Sequence, residues 1–191
     1  ADTAFKDANI LQKDNSYKFT QSTTIIVDSG AAIDAKADVK INAENAGLTL
    51  DSEQGILTNG KNVEVTARTL NINAQDNAIT ADGGKLISKG KTNINSEDKS
   101  ADPTAKNAVV AKNGAEVTLG YGTIKGNIIS DTSVVTINED NKDGSVEGNL
   151  AVANGGTLKL SVAGLLGKLN GDIVPSSDIA IVASGASTGK V

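Results

Sequence analysis

An internal period of about 22 residues constrains this 191-residue chain more than any other feature. The string TIKGNI (123 to 128) returns as SVEGNL (145 to 150) and KLNGDI (168 to 173). Ile124, Val146 and Leu169 are therefore 22 and 23 residues apart, and Gly126, Gly148 and Gly171 keep the same intervals. NAITADGGKLIS (77 to 88) returns as NAVVAKNGAEVTL (107 to 119) and NLAVANGGTLKLSV (149 to 162). TLNINA (69 to 74) pairs with TNINS (92 to 96), which places Ile72 and Ile94 22 residues apart. Repeats sharing one period indicate stacked units, each burying its apolar side against the next.

Inside the repeats the apolar residues alternate with period two, as in Val39 and Ile41, Val63 and Val65, Leu70 and Ile72, Val117 and Leu119, Val135 and Ile137, and Leu158 and Leu160. That is the pattern of strands, and each run is cut after a few residues by NG, DG, GG or a similar turn pair. A unit this short does not suit a propeller blade, and the L-x-x-L-x-L-x-x-N consensus of leucine-rich repeats does not occur. The period fits one turn of a right-handed parallel β-helix with three short strands per coil, an all-β fold. It predicts roughly seven coils over residues 20 to 174, with strands of about three to six residues. Stacked about 4.8 Å apart, they make a rod on the order of 30 Å long. Ile72 with Ile94, and Ile124 with Val146 and Leu169, are expected in interior columns.

The period is broken between Gly83 and Gly114, 31 residues apart, and the excess falls in the polar stretch SEDKSADPTAK (96 to 106), read as a protruding loop. Extra length between Gly30 and Gly60 marks another irregularity. Residues 1–19 are expected to be an N-terminal cap or extension, either a short helix carrying Phe5, Ala8 and Leu11 or an extended segment over the first coil. Residues 20–174 form the β-helix. Residues 175–191 hold a last strand and a Gly/Ser-rich tail, and the whole is expected to be a fragment of a longer solenoid.

Composition agrees with a narrow, repetitive core. Aromatics are limited to Phe5, Tyr17, Phe19 and Tyr121, so Val, Ile, Leu and Ala must fill the interior. With no Cys there is neither a disulfide framework nor a thiolate metal site. The net charge of −5 with a single arginine, Arg68, and few aromatics argues against nucleic acid as a partner. No apolar run approaches the roughly 20 residues of a transmembrane helix, and the start ADTAFKDANI lacks a signal-peptide pattern.

The string GSVEGNLAVANGGTLKLSVAGLLGKLNGDI (144 to 173) resembles the β-helical passenger domain of autotransporters. That family repeats an apolar residue, x, Gly, Asn or Asp and an apolar residue, followed by a Gly-Gly-Thr-Leu type turn. The likeness is good over about 107 to 174 and looser over 20 to 106. There VDSGAAIDAKADVKINA and TNGKNVEVTARTLNINA are also similar to filamentous haemagglutinin-like exoproteins. Both resemblances imply export by a Gram-negative bacterium and display at the cell surface and outer membrane. Any membrane contact would then run through a translocator barrel, whose aromatic-girdled strands this chain does not carry.

Candidate sites are few. Triads and dyads that need imidazole or thiolate are excluded, since the chain has no His or Cys. Arg68 in VEVTARTL has no acidic residue close in sequence and reads as a solvated coil-corner residue rather than a lyase base. The turn Glu139, Asp140, Asn141, Lys142, Asp143, Gly144 partly fits a calcium loop, but the position for a bidentate Glu is Leu150, so a solvated turn is the better reading. Asn71, Asn73, Asn93 and Asn95 recur one coil apart, as do Asn127, Asn149 and Asp172. They are read as corner residues that satisfy turn backbone groups, with a recognition stripe as the alternative.

No catalytic, cofactor-binding or metal site is therefore expected. The function expected is a non-enzymatic adhesin or spacer stalk, secreted and surface-displayed, that contacts a host glycan or matrix protein or associates with itself. The competing class is a carbohydrate-active enzyme, a lyase or hydrolase, whose groove would lie along one sheet.

Overall fold

A computed structural model describes residues 3–6, 16–96, 106–137, 144–161, 169–170, 173–175 and 178–182. All its regular structure is β, every pairing between strands is parallel, and no described residue is helical. The chain winds as a parallel β-helix with three faces per turn.

Each face is followed most easily by one column of register partners. On face A, Val39, Val63, Leu86, Val117, Val135, Leu158 and Ile179 are register partners in succession. On face B the sequence is Phe5, Ile25, Leu50, Ile72, Ile94, Ile124, Val146, Leu169. On face C it is Ile33, Ile56, Ile79, Val109, Ile128, Leu150, Ile173. The five residues expected in interior columns thus share one column, and Ile72, Ile94, Ile124 and Val146 are buried. Between Ile25 and Leu169 the chain makes six full circuits against the roughly seven expected. Two circuits are long: Ile25 to Leu50 spans 25 residues and Ile94 to Ile124 spans 30.

The strands are longer than the spacing of turn signals suggests. Val39–Leu57 is a single strand of 19 residues that passes from face A through face B into face C. Pairing survives the bends because the corners are bulges, with register shifts between Ala43 and Gly47, between Thr66 and Thr69, and between Val27 and Ala31. A bulge turns the strand while its hydrogen bonds continue on both sides. Gly30, at positive φ, lies at the last of these bends, between faces B and C, whereas Gly60 lies between faces C and A. The interval between them therefore joins two different corners, and the bulge at Ala43 to Gly47 within it adds two residues relative to the next coil.

The corner between faces B and C explains the glycine of the repeat. Gly126 and Gly148 are both at positive φ and buried, and a Cβ on Gly148 would lie 2.1 Å from the Gly126 carbonyl oxygen. Successive coils approach there backbone to backbone, so a side chain has no room. The corner between faces C and A instead uses Asn-Gly turns: Asn59, Asn113 and Asn154 adopt positive φ, and each is followed by a glycine. Their side chains reach back one coil, Asn59 Nδ2 donating to Asp34 Oδ1 (2.6 Å), Asn113 Nδ2 to Asp82 Oδ1 (2.6 Å) and Asn154 Nδ2 to Asp131 Oδ1 (2.8 Å).

The N-terminal segment is extended where it is described. Thr3–Lys6 pairs with residues 23 to 26 on face B, which answers the helix alternative for Phe5. Ala8 and Leu11 lie outside the described residues, as do 97–105 of the polar insert and the tail from 183. The insert leaves from Ser96, whose hydroxyl donates to the Asp76 carbonyl at 3.2 Å, and returns at Lys106, whose carbonyl accepts from Asn127 N at 2.7 Å. Both flanks remain in the ladder.

Candidate functional site: the polar face

Outward positions differ sharply between the faces. Face C carries Leu57, Thr80, Val110, Ile129 and Ala151 in register, all partly exposed. Face A is charged: Lys40 is paired in register with Glu64, Lys89 Nζ lies 3.0 Å from Glu64 Oε1, and Lys85 Nζ lies 3.2 Å from Glu116 Oε2. The hydrogen bond from Lys89, which outweighs the opposing effect of burial, holds the Glu64 carboxyl below its ordinary range, with the charges of Lys89 and Lys40 acting in the same direction.

Face B is mostly uncharged and polar. One outward row runs Thr24, Thr49, Asn71, Asn93, Thr123, Ser145, and the neighbouring row runs Ile26, Asp51, Asn73, Asn95, Lys125, Glu147. The first row is tied together along the axis. Asn93 Nδ2 donates to Asn71 Oδ1 at 3.1 Å, Asn93 Oδ1 accepts from the Thr123 backbone N at 3.0 Å, and Ser145 Oγ lies 3.4 Å from Thr123 Oγ1.

This placement corrects the reading of four asparagines. Asn71, Asn73, Asn93 and Asn95 lie in strands Asn62–Ala74 and Lys85–Ser96, at outward positions in mid-face, not at corners. Alternation on a strand puts them outside because Leu70, Ile72 and Ala74, and Thr92, Ile94 and Ser96, point in. Asn127 and Asn149 do occupy a corner and satisfy backbone there: Asn127 Oδ1 accepts from Asn149 N at 2.9 Å, and Asn127 Nδ2 donates to Asn107 Oδ1 at 3.3 Å. Asp172 lies outside the described residues, as do Glu139, Asp140, Asn141, Lys142 and Asp143 of the acidic turn, of which only Gly144 is described.

Arg68 is exposed at the bulged corner between faces A and B. It overlooks a groove of about 340 Å³ whose other lining residues are Ser22, Thr23, Thr24, Gly47, Thr49, Thr69 and Asn71. Three successive coils contribute to it. Ser22 Oγ accepts from Gly47 N at 3.4 Å, and Thr23 Oγ1 donates to the Gln21 carbonyl at 2.9 Å, so two of the hydroxyls are tied to backbone. Sequence reasoning singled out Arg68 and Asn71 but not Ser22, Thr23, Thr24, Gly47 and Thr49, which stand 19 to 46 residues before Arg68 and meet it only through the stacking register. Protein-family models, curated proteins and solved structures give no match to the chain. Among the described residues, no three His, Cys, Asp or Glu side chains gather where they could hold one metal ion.

Proposed function

We propose that this chain is a section of an exported bacterial β-helix that serves, without catalysis, as an adhesive or spacer stalk at the cell surface. The observation that carries the proposal is face B, where uncharged hydrogen-bonding groups recur once per coil along the rod. Such a surface offers the same polar contact many times over, and weak contacts gain avidity when they act together. Host-surface glycans, matrix proteins and a second copy of the chain are the partners it suits. The resemblance to autotransporter passengers supports export and outer-membrane display, with a translocator barrel, separate from these residues, as the link to the membrane.

The enzyme alternative needs a carboxylate pair or a basic cluster around one cleft. The groove beside Arg68 is lined by Ser, Thr, Gly and Asn, which favours binding over hydrolysis. Binding of the purified chain to glycan and matrix-protein arrays, run beside a coated-bead aggregation assay, tests the proposal. Weak, multivalent binding or aggregation is the expected result. Turnover of a polysaccharide, lost on Arg68→Gln or on removal of a particular Asp or Glu, would replace it with the enzyme reading.

A further inference from the structure

We infer that the groove at Arg68 is a binding site for a saccharide unit that carries one anionic group, a carboxylate or a sulfate. The inference rests on the adhesive reading and names its ligand class. Arg68 is the only arginine of the chain, and among the described residues its guanidinium forms no ion pair or hydrogen bond. Lys85, Lys89 and Lys112, by contrast, are each paired with a carboxylate of an adjacent coil. A guanidinium presents a planar fork of donors that matches a carboxylate or sulfate through two parallel hydrogen bonds, which an ammonium does not.

The remaining lining selects what surrounds that anion. Hydroxyls of Ser22, Thr24, Thr49 and Thr69 and the amide of Asn71 both donate and accept, as sugar hydroxyls do. Two of these groups are held before any ligand arrives, Asn71 by Asn93 and Ser22 by the Gly47 amide, which lowers the ordering cost of binding. No aromatic ring lines the groove to stack a nucleobase. The volume of about 340 Å³ is at the small end of ligand-sized clefts and suits one unit of a longer chain lying along face B. Charge sets the upper limit on ligand charge density. A protein of net charge −5 with one unpaired guanidinium in the groove repels a dense polyanion, so the match is to sparsely charged glycan.

Methyl glucuronide and methyl glucoside share a ring and differ in a carboxylate against a hydroxymethyl, which makes them the discriminating pair. Titration of each into ¹⁵N-labelled protein should shift the amides of Thr24, Gly47, Thr49, Arg68, Thr69 and Asn71, with the glucuronide binding about ten-fold more tightly. Sulfated and unsulfated methyl galactoside separate the sulfate source from the carboxylate source. Arg68→Gln should remove the preference for the charged ligand, Arg68→Lys should keep part of it, and Lys159→Gln on face A should leave it intact. Equal affinity for charged and neutral sugars, a preference that survives Arg68→Gln, or shifts confined to another face would each overturn the inference. If the array and bead assays still show adhesion in any of those cases, the adhesive reading stands without this groove. Absence of binding in every assay removes both.

Discussion

Replacing Thr132 by Asn should stabilise the fold. Thr132 has φ 55°, the left-handed region in which a β-branched side chain crowds its own backbone. The conformation is imposed from both sides: Thr132 N donates to the Ala153 carbonyl at 3.0 Å, and the Thr132 carbonyl accepts from Gly114 N at 3.0 Å. The strain of about 1–2 kcal/mol is therefore held by the coils above and below. Against it, the exposed hydroxyl makes one side-chain contact, 3.0 Å to Asp131 Oδ1, worth at most about 0.5 kcal/mol at the surface. Asn tolerates the left-handed region, as Asn59, Asn113 and Asn154 do at the same corner, so Thr132→Asn should gain about 1 kcal/mol. Thr132→Gly releases the same strain but returns about 0.5–1 kcal/mol as unfolded-state entropy, leaving little net change. Thr132→Ala keeps most of the strain. Denaturant melts should rank the variants Asn, then Gly, then the parent with Ala, and thermal melts should raise the Asn variant by about 2–4 °C. A neutral or destabilising Thr132→Asn, or an Ala variant more stable than Gly, would refute the strain argument.

Gly148→Ala should cost about 3 kcal/mol or more, because its Cβ would meet the Gly126 carbonyl oxygen at 2.1 Å. Gly155→Ala, with φ 77° and nothing within 4 Å of the added carbon, should cost only about 1 kcal/mol in the same melts. Ser88 and Thr92 are buried with their hydroxyls 2.8 Å apart. Thr92→Val should therefore destabilise by about 1–3 kcal/mol, and adding Ser88→Ala should recover part of the loss, a coupling that a double-mutant cycle measures. Because Glu64 titrates below its ordinary 4.5, its stabilising contribution is present above that pH and is lost as pH falls through the lowered folded-state value. Lys89→Met should raise the Glu64 titration midpoint, read by carboxyl-carbon NMR, and shrink that acid-side loss.

Much of the fold was legible because the same apolar position leads each repeat. Ile72, Ile94, Ile124, Val146 and Leu169 follow one another at 22, 30, 22 and 23 residues, and the long interval coincides with an insert whose polar composition marks it. The bulged corners were not legible, since Ala43 to Gly47 and Thr66 to Thr69 carry no turn signature and bend the backbone without ending its pairing. Interior Ser88 was equally hidden. A serine between Ile87 and Lys89 reads as an outward residue, and only its register with Val65, together with the hydroxyl of Thr92 across the interior, shows that it points in.

The groove was harder still to see, for a reason particular to solenoids. Residues that form a site on a coil face are neighbours along the axis, so they are one circuit apart in sequence, and a shift of one residue in register sends each to the opposite side of the sheet. Thr24, Thr49 and Asn71 align only after the 25-residue circuit from Ile25 to Leu50 and the bulge at Ala43 to Gly47 are counted correctly. A uniform period of about 22 from Asn71 reaches Thr49 correctly, then misses Thr24 by three residues. Core columns tolerate such an error because several nearby apolar residues can fill an interior position. An outward hydrogen-bonding row does not, since it depends on which side chain stands beside which.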